Sequence, residues 1–389
     1  MDVGTRNSSI LSSLFFSGAS ILYIAWGCLK DADIEIDGLK YFLYLSIMLS
    51  SFSIFLKGRF TFWGCLLFVF IAGMGLYYKQ VHLDPAILPI SFLIFAANNI
   101  KVDYIIKNFF YTLLVLTSLV ILMSFLGVLS DKVQTHRVGD AVLESHALGF
   151  KWYSGPTFRA ITLMFSYLYL NRKKVNYLQL TTVLLLSVFL AILTTRRLLL
   201  LASVTSVILY LLTYKCNLFE FKSKLWKYVG LFAYPAAFMF YIVLAFSTFV
   251  SPDFYDWYDE NTSGRLSLTL SAFLQYPITL MGNVVDFVGA IEAEYSTLEY
   301  NYIDSGYIYW LLVYGILFCL FIVIAHVAIL YRSYKSQNKF LYIWCMILAF
   351  LNISNDFFTA SYLNPMIFLL LAKFPKIDSQ SYHEQPKKI

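Results

Sequence analysis

Charged residues are scarce in this sequence. They make up 13% of its 389 residues, about half of the roughly 25% that is typical of soluble globular domains. Hydrophobic residues make up 59%, and the mean hydropathy is +0.68. This balance excludes a string of soluble domains and predicts a single membrane-embedded domain over 1–389.

Side chains that could bind a metal are also few. The five cysteines form no CxxC pair, so they predict neither a disulfide nor a zinc site. Of the five histidines, His136 and His146 share one loop and His82 lies in another, without acidic residues at a spacing that suits a metal. We therefore expect no metal and no cofactor.

Apolar runs recur along the whole chain. A helix needs about 20 apolar residues to cross roughly 30 Å of hydrocarbon. The runs predict an all-α polytopic integral membrane protein with about twelve transmembrane helices, at 9–28, 41–57, 60–78, 84–98, 108–128, 154–170, 177–194, 198–214, 228–250, 304–330, 340–357 and 361–373. The runs at 84–98 and 361–373 are short, which indicates tilted, paired or partly re-entrant segments.

Lysine and the acidic residues divide between the two sides of the membrane. With the N-terminus inside, 19 of the 29 basic residues fall in inside segments and 18 of the 23 acidic residues fall outside. Because basic loops stay in the cytoplasm, both termini, including the tail 374–389, are predicted to be cytoplasmic. The net charge of +6 then reflects topology and does not indicate nucleic-acid binding.

Arginine departs from this division, because five of the nine arginines fall on the outer side. Arginine binds phosphate and carboxylate groups through two parallel N–H bonds, which lysine cannot do. We therefore expect these residues to hold an anion; the alternative is that each one extends to the interface as an ordinary surface charge. The five are Arg137, Arg159, Arg196, Arg197 and Arg265.

Two outer loops carry most of the remaining polar residues. The loop 130–153 contains Arg137 and His146. The larger loop 251–303 is aromatic and acidic, which suits a glycan, although an interfacial aromatic belt is the alternative. Its apolar run 266–290 predicts an interfacial helix. The hydroxyls of 262–263 predict the cap of that helix, with Arg265 beside free N–H groups that bind phosphate.

Five charged residues, three of them among these arginines, lie within or at the ends of predicted spans. Arg159 follows the start of the sixth span, and Arg196 with Arg197 forms the turn between the seventh and eighth. Asp304 begins the tenth span and Asp356 ends the eleventh. Charges at such positions are functional candidates. The alternative is that they pair with one another for structural reasons.

The order of several short motifs resembles the Wzy-type polysaccharide polymerases, which are related to the O-antigen ligases. The resemblance covers about 90–375, with Ala147 and Thr195 standing where the family motifs have serine. Ligases of this superfamily use a histidine in the large outer loop, and 251–303 has none, which favours a polymerase. The motifs are HALGF at 146–150, TTRRLL at 194–199, SGR at 263–265, DSGY at 304–307 with YGI at 314–316, ND at 355–356 and NP at 364–365.

The resemblance implies a GT-C-like glycosyltransferase of the bacterial cytoplasmic (inner) membrane, with its active site on the outer face. It would transfer a growing O-antigen, capsular or exopolysaccharide chain from undecaprenyl diphosphate to the next lipid-linked repeat unit. Membrane lipids, a chain-length regulator and a flippase are the other partners implied. Glycan transfer by a ligase and transport by a lipid-oligosaccharide flippase remain alternatives.

The site residues expected for this reaction fall into two groups. The arginines would stabilise the leaving diphosphate, and a carboxylate or imidazole would deprotonate the attacking hydroxyl. The catalytic candidates are Arg196, Arg265, Arg159, Asp304 and His146. The substrate-binding candidates are Arg137, Arg197, Tyr302 and Asp356.

Overall fold

The computed structural model describes residues 3–32, 34, 36–57, 60–82, 84–138, 141–172, 174–195, 197–215, 223–262, 264–288, 301–356 and 360–374. Most of these residues are helical. The helices are α1 (Val3–Asp31), α2 (Lys40–Lys57), α3 (Phe62–Val81), α4 (Ile87–Ala96), α5 (Val102–Phe125), α6 (Ser154–Leu170), α7 (Tyr177–Leu193), α8 (Arg197–Tyr210), α9 (Lys224–Ala245), α10 (Pro252–Asn261), α11 (Arg265–Gln275), α12 (Gly306–Lys335) and α13 (Lys339–Leu351).

Six of these helices are long and apolar enough to cross a membrane. They are α1, α3, α5, α8 with its continuation to Tyr214, α9 and α12. Large apolar side chains lie exposed on their surfaces and on those of neighbouring helices, for example Trp63 at 76% and Phe55 at 82%. Exposing such apolar surfaces to water is unfavourable, whereas exposing them to the hydrocarbon of a membrane is not. The prediction of a mostly α-helical membrane protein is therefore confirmed.

The loop 130–153 contains a β-hairpin, which the sequence analysis did not predict. Strands β1 (Val133–Val138) and β2 (Ala141–His146) pair antiparallel, with Val133 opposite His146. The sequence does contain a pattern that indicates a hairpin. Two six-residue stretches that can form strands, 133–138 and 141–146, are separated only by Gly139 and Asp140, and a two-residue connection with glycine is typical of hairpins.

Helix α12 is interrupted two to three turns after its start. Trp310–Tyr314 form a π-helical turn, and Gly315 then adopts a positive φ of 85°. At 1.5 Å per residue, this break lies about 13 Å from the first residue of the helix. A break at this depth frees backbone N–H and C=O groups that hydrocarbon cannot satisfy.

The segment 276–288 satisfies those groups. Ile316 N donates to Thr279 O at 3.0 Å, and both the backbone N and the side-chain Nδ2 of Asn283 donate to Leu312 O, at 2.9 and 2.8 Å. Helix α11 covers only the first part of the predicted helix over 266–290, and its position in the membrane interface stays a prediction. Helix α11 ends at Gln275, because Pro277 disfavours helical geometry in the residue before it and cannot donate its own backbone nitrogen.

The last described segment, 360–374, also crosses the bundle without forming an α-helix. It contains two 3₁₀ helices, Ser361–Leu363 and Met366–Leu369, where a helical span had been expected. Tyr362 bonds Asp31 at one end of the bundle, and Lys373 N donates to Ile100 O at the other, at 2.7 Å. Most of its side chains are buried, which satisfies the rule that irregular backbone at membrane depth must be enclosed by protein.

The end of the bundle that carries the β-hairpin, α10 and α11 is called the hairpin end below. Asn261 is exposed there, and Lys335 is exposed at the far end of α12. These two positions test the predicted orientation in a protein whose five native cysteines are replaced by alanine and that carries a single new cysteine. In sealed cells, a membrane-impermeant maleimide should label Asn261→Cys, and it should label Lys335→Cys only after the cells are opened. Labelling of both from outside would contradict the predicted orientation.

The contact between the segment 276–288 and the break in α12 can be tested at Gly282. A Cβ there would overlap the backbone of Val313, and the positive φ of 85° disfavours alanine. Gly282→Ala should cost at least about 3 kcal/mol, from backbone strain and overpacking together. Thermal unfolding in detergent measures it. The control is Gly73→Ala, where a Cβ meets nothing within 4 Å and helix propensity favours alanine by at most about 1 kcal/mol. Equal stability of the two variants would show that the contact is unimportant.

Candidate functional site

A small cleft at the hairpin end is lined by residues at the amino-terminal ends of three helices. The start of α6, the start of α8 and the first residue of α11 all line it, together with a residue that follows α13. We call it the Arg265 cleft. Its lining residues are Ser154, Thr157, Phe158, Leu198, Arg265 and Asn355.

Helix α11 is capped by a carboxylate. Of the two hydroxyls predicted to cap it, that of Thr262 donates to Tyr258 O in α10, and Ser263 lies outside the described residues. Gly264 precedes the helix with φ 74° and makes no side-chain cap. Asp259, near the end of α10, accepts hydrogen bonds instead from Leu266 N at 2.7 Å and Ser267 N at 3.2 Å. Two of the free N–H groups of α11 are thereby used, so the contribution of this helix to the cleft is the Arg265 side chain.

Arg265 and Asp304, two of the predicted catalytic residues, form an ion pair. Arg265 Nε lies 3.1 Å from Asp304 Oδ2, and the two side chains are 29% and 28% exposed. The pair joins two segments that are 39 residues apart in the sequence. A guanidinium has four further N–H donors on its two Nη atoms. An anion in the cleft can therefore bind Arg265 while Asp304 fixes its orientation.

Arg159 lies outside this cleft. Its side chain is fully buried, its Nη2 bonds Asp31 Oδ2 at 2.9 Å, and its guanidinium stacks 4.2 Å from the Phe150 ring. Nη1 donates to Gly155 O at 3.0 Å, and the Tyr362 hydroxyl donates to the same aspartate. Arg159 thus ties α6 to α1 and to the segment 360–374, and its predicted contact with a diphosphate stays a prediction.

The turn between α7 and α8 makes two hydroxyl contacts, one to Thr157 in the cleft and one to the β-hairpin. Thr157 Oγ1, on α6, donates to Thr194 Oγ1 at 3.1 Å, and the Ser145 hydroxyl of β2 contacts that of Thr195. Thr195 has φ 48°, an uncommon value for a β-branched residue. These contacts hold a strained turn beside the cleft.

Two predicted arginines belong to this turn. Arg197, the first residue of α8, is exposed and immediately precedes Leu198 in the cleft. Arg196 lies outside the described residues, so the meeting of Arg159, Arg196 and Arg265 on one diphosphate stays a prediction.

The β-hairpin holds the other two candidates of the first loop. His146 Nδ1 lies 2.7 Å from Asp131 Oδ2, with both side chains 31% exposed, and Asp131 Oδ1 also accepts from Leu148 N at 2.7 Å. Arg137 faces Val142 in the hairpin register, and its side chain lies outside the described part of the structure. His146 does not line the Arg265 cleft, and the roles expected for His146 and Arg137 stay predictions.

Asp356 and Tyr302 lie close to the first turns of α12. Asp356 Oδ1 accepts from Trp310 Nε1 at 2.9 Å, and the ring of Tyr302, 43% exposed, packs 5.6 Å from that of Phe287. A Cβ on Gly306 would lie 2.8 Å from Asn355 O, so glycine permits this close approach of the residues after α13.

Two carboxylates at this end were not predicted from the sequence. Asp31 is the partner of Arg159, and Asp84 accepts hydrogen bonds from the Tyr314 hydroxyl and, at 2.9 Å, from Ala86 N. The available signal was a carboxylate at the end of an apolar run, the criterion that selected Asp356.

No protein-family model, curated protein or solved structure matches the chain. Among the described residues, no group of three or more His, Cys, Asp or Glu side chains is placed to hold a metal ion. The function therefore has to be argued from the site itself.

Removing one partner of the Arg159–Asp31 pair should destabilise the protein. Asp31→Asn leaves a buried guanidinium without its counter-charge, a change that typically costs about 3–5 kcal/mol. Thermal unfolding in detergent measures it, with Asp37→Asn, an exposed aspartate in the following loop, as the matched control. Adding Arg159→Met to Asp31→Asn should recover part of the loss. Wild-type stability of Asp31→Asn would contradict a structural role for the pair.

Proposed function

We propose that this chain is a polytopic membrane glycosyltransferase that polymerises lipid-linked oligosaccharide repeat units. The observation that carries the proposal is the Arg265 cleft, where an oriented arginine meets the amino-terminal ends of two apolar helices. Such a site favours an anion at the membrane surface. Undecaprenyl diphosphate presents its anionic group at that depth.

The electrostatics of the cleft support a diphosphate leaving group. Helices α6 and α8 begin there, and a helix amino terminus carries about half a positive charge. Arg265 adds a full charge, and Arg197 lies one residue from the cleft. The diphosphate is already anionic in the bound donor and gains a further negative charge as its bond to the sugar breaks. Positive groups placed there therefore lower the energy of the transition state more than that of the ground state. Arg196, beside Arg197 in the sequence, is a further candidate for this role.

The reaction exchanges one bond at the anomeric carbon for another. An acceptor hydroxyl oxygen forms a bond to that carbon, while the bond from the carbon to the diphosphate oxygen breaks and its electron pair leaves on the diphosphate. A carboxylate or imidazole takes the hydroxyl proton. Asp304 and His146 remain candidates for that base, and Arg159, through Asp31, positions α6 at the cleft.

The fold accommodates twelve crossings under this proposal. The six long helices are joined by α2, α4, α6, α7 and α13 and by the non-helical segment 360–374. With the N-terminus in the cytoplasm, the hairpin end faces outward, as the charge distribution predicts. The architecture is then GT-C-like, in the inner membrane, with a flippase supplying substrate and a chain-length regulator acting on product.

The experiment that tests the proposal is turnover by the purified protein. Lipid-linked repeat units should be converted to a ladder of longer glycans. A single transfer to a different acceptor would instead indicate a ligase, and the absence of any covalent change would indicate transport.

Arginine geometry gives a sharper prediction. Arg265→Lys keeps the charge and loses the paired N–H donors, so turnover should fall at least about tenfold, the equivalent of about 1.4 kcal/mol. Arg196→Lys should behave in the same way. Arg59→Lys, in a predicted cytoplasmic turn, is the control for the same substitution. Turnover is compared at equal amounts of protein in the membrane. Full turnover by both Arg265→Lys and Arg196→Lys would show that these arginines take no part in the mechanism.

A further inference from the structure

A groove runs along the surface of α5 beside its contact with α1. Its volume is about 530 Å³, within the roughly 300–1,000 Å³ that is typical of ligand sites. We call it the Lys107 groove, and it shares no lining residue with the Arg265 cleft. Its lining residues include Ile21 of α1 and Tyr104, Lys107, Tyr111, Val115 and Leu116 of α5.

The groove is polar at one end and apolar at the other. Tyr104 and Lys107 lie near the start of α5, at the end of the bundle opposite the hairpin end, whereas Val115 and Leu116 lie deeper. At 1.5 Å per residue, Tyr104 and Leu116 are about 18 Å apart along the helix axis. This length is close to half of the roughly 30 Å of hydrocarbon in a bilayer. The groove therefore spans about one leaflet, with its polar end at the headgroups.

Lys107 carries the positive charge of the polar end. Its Cα lies about 7.5 Å beyond Val102, the first residue of α5. Helical side chains tilt toward the amino terminus of their helix, and lysine extends its ammonium toward water. The side chain is exposed, and Nζ lies 6.0 Å from the centre of the Tyr111 ring. We therefore expect the ammonium at the level of the lipid phosphates.

The neighbouring charges leave this end of α5 positive. Asp103 is the only acidic residue of α5. Its Oδ1 lies 3.3 Å from Arg172 Nη2 and accepts a hydrogen bond from the Tyr169 hydroxyl at 2.5 Å. The charge of Asp103 is thus balanced by Arg172. Lys101, immediately before the helix, is exposed as well, so Lys101 and Lys107 together favour an anionic headgroup.

Hydrogen bonds to α1 hold the polar side chains of the groove in place. The Tyr104 hydroxyl lies 2.7 Å from Ser17 Oγ. Asn108, which also lines the groove, donates from Nδ2 to Ser20 Oγ at 2.6 Å. Side chains that are ordered before a ligand arrives lose little entropy when it binds. The groove is therefore a built surface and not a chance gap between flexible side chains.

The side chains of the groove favour a lipid over a helix of another protein. Helix–helix contacts within membranes are enriched in small residues, which let two backbones approach closely. The α5 face of this groove instead carries Tyr104, Lys107, Tyr111 and Leu116. These large side chains keep a second helix at a distance, whereas a thin acyl chain fits between them.

We propose that the Lys107 groove binds one anionic phospholipid. The lipid phosphate lies at the Lys107 ammonium, and one acyl chain runs along Ile21, Val115 and Leu116. Val115 is 56% exposed and Ile21 is 42% exposed, so both can contact the chain. The inference goes beyond the proposed function and does not depend on it.

The test compares two lipids that differ in charge. The probes are phosphatidylglycerol and phosphatidylethanolamine with identical acyl chains, added to the delipidated full-length protein and counted by native mass spectrometry. The first phosphatidylglycerol should bind the wild type roughly fivefold more tightly than phosphatidylethanolamine, as expected for one lysine near an anionic lipid. Lys107→Gln should lose this preference. Lys224→Gln, which changes an exposed lysine at the start of α9, should keep it.

A second pair of variants tests the apolar half. Val115→Trp fills the groove and should weaken phosphatidylglycerol binding roughly fivefold, because the acyl chain loses its contacts. Leu119→Trp, 49% exposed one turn further along α5, should have no effect. All four substituted residues are exposed, so wild-type unfolding temperatures are expected.

Three results would overturn the proposal. Equal affinity of the wild type for the two lipids would indicate an ordinary membrane contact. An unchanged preference in Lys107→Gln would exclude Lys107 from headgroup binding. Wild-type affinity in Val115→Trp would show that the phosphate binds a surface lysine without the groove.

Discussion

The contact between Gly282 and the break at Gly315 is the constraint on which the hairpin end depends. Hydrocarbon offers no hydrogen bonds, so a helix can break at depth only where another protein segment replaces the missing partners. The segment 276–288 does this, and a side chain at either glycine would meet backbone atoms. Once the segment is fixed there, Phe287 is delivered to Tyr309, and the π-helical turn points Tyr314 at Asp84. One backbone contact thus fixes the stacked pair of rings, Phe287 and Tyr309.

Two arginine–aspartate pairs at the same end differ in burial, and the difference separates their roles. The Arg159–Asp31 pair includes a guanidinium that is fully enclosed, so its charge is committed to holding three segments together. The Arg265–Asp304 pair is nearly one-third exposed and opens into a cleft. A fully buried guanidinium cannot exchange its partner for a ligand without a large desolvation cost. Under the proposed function, the partly exposed Arg265 would bind and release a diphosphate at each step of chain growth.

Features that depend on the composition along the chain could be predicted from the sequence. Contacts between distant segments could not. Hydropathy located the helices, and the polar loop pattern located Arg265 and Asp304. Nothing local indicated that Arg159 would meet Asp31, 128 residues away. The β-hairpin and the end of α11, by contrast, could have been predicted from local sequence. Gly139 and Asp140 are typical of a hairpin turn and Pro277 of a helix end, but hydropathy alone does not detect these residues. The segment 361–373 was predicted as a short span and contains two 3₁₀ helices in place of an α-helix, because an apolar run of that length suits either a buried helix or an enclosed irregular chain.

Positive and negative groups lie close together at the Arg265 cleft. Helices α6 and α8 begin there, and Arg265 adds a positive charge whose side chain is held by the Asp304 carboxylate. Asp356 is one residue beyond Asn355 of the cleft, and its carboxylate accepts a hydrogen bond from the Trp310 indole. A transfer reaction needs positive groups for the leaving group, which departs as an anion, and an acceptor for the proton of the attacking hydroxyl. Under the proposed function, both kinds of group are supplied where the residues after α13 pack against Gly306.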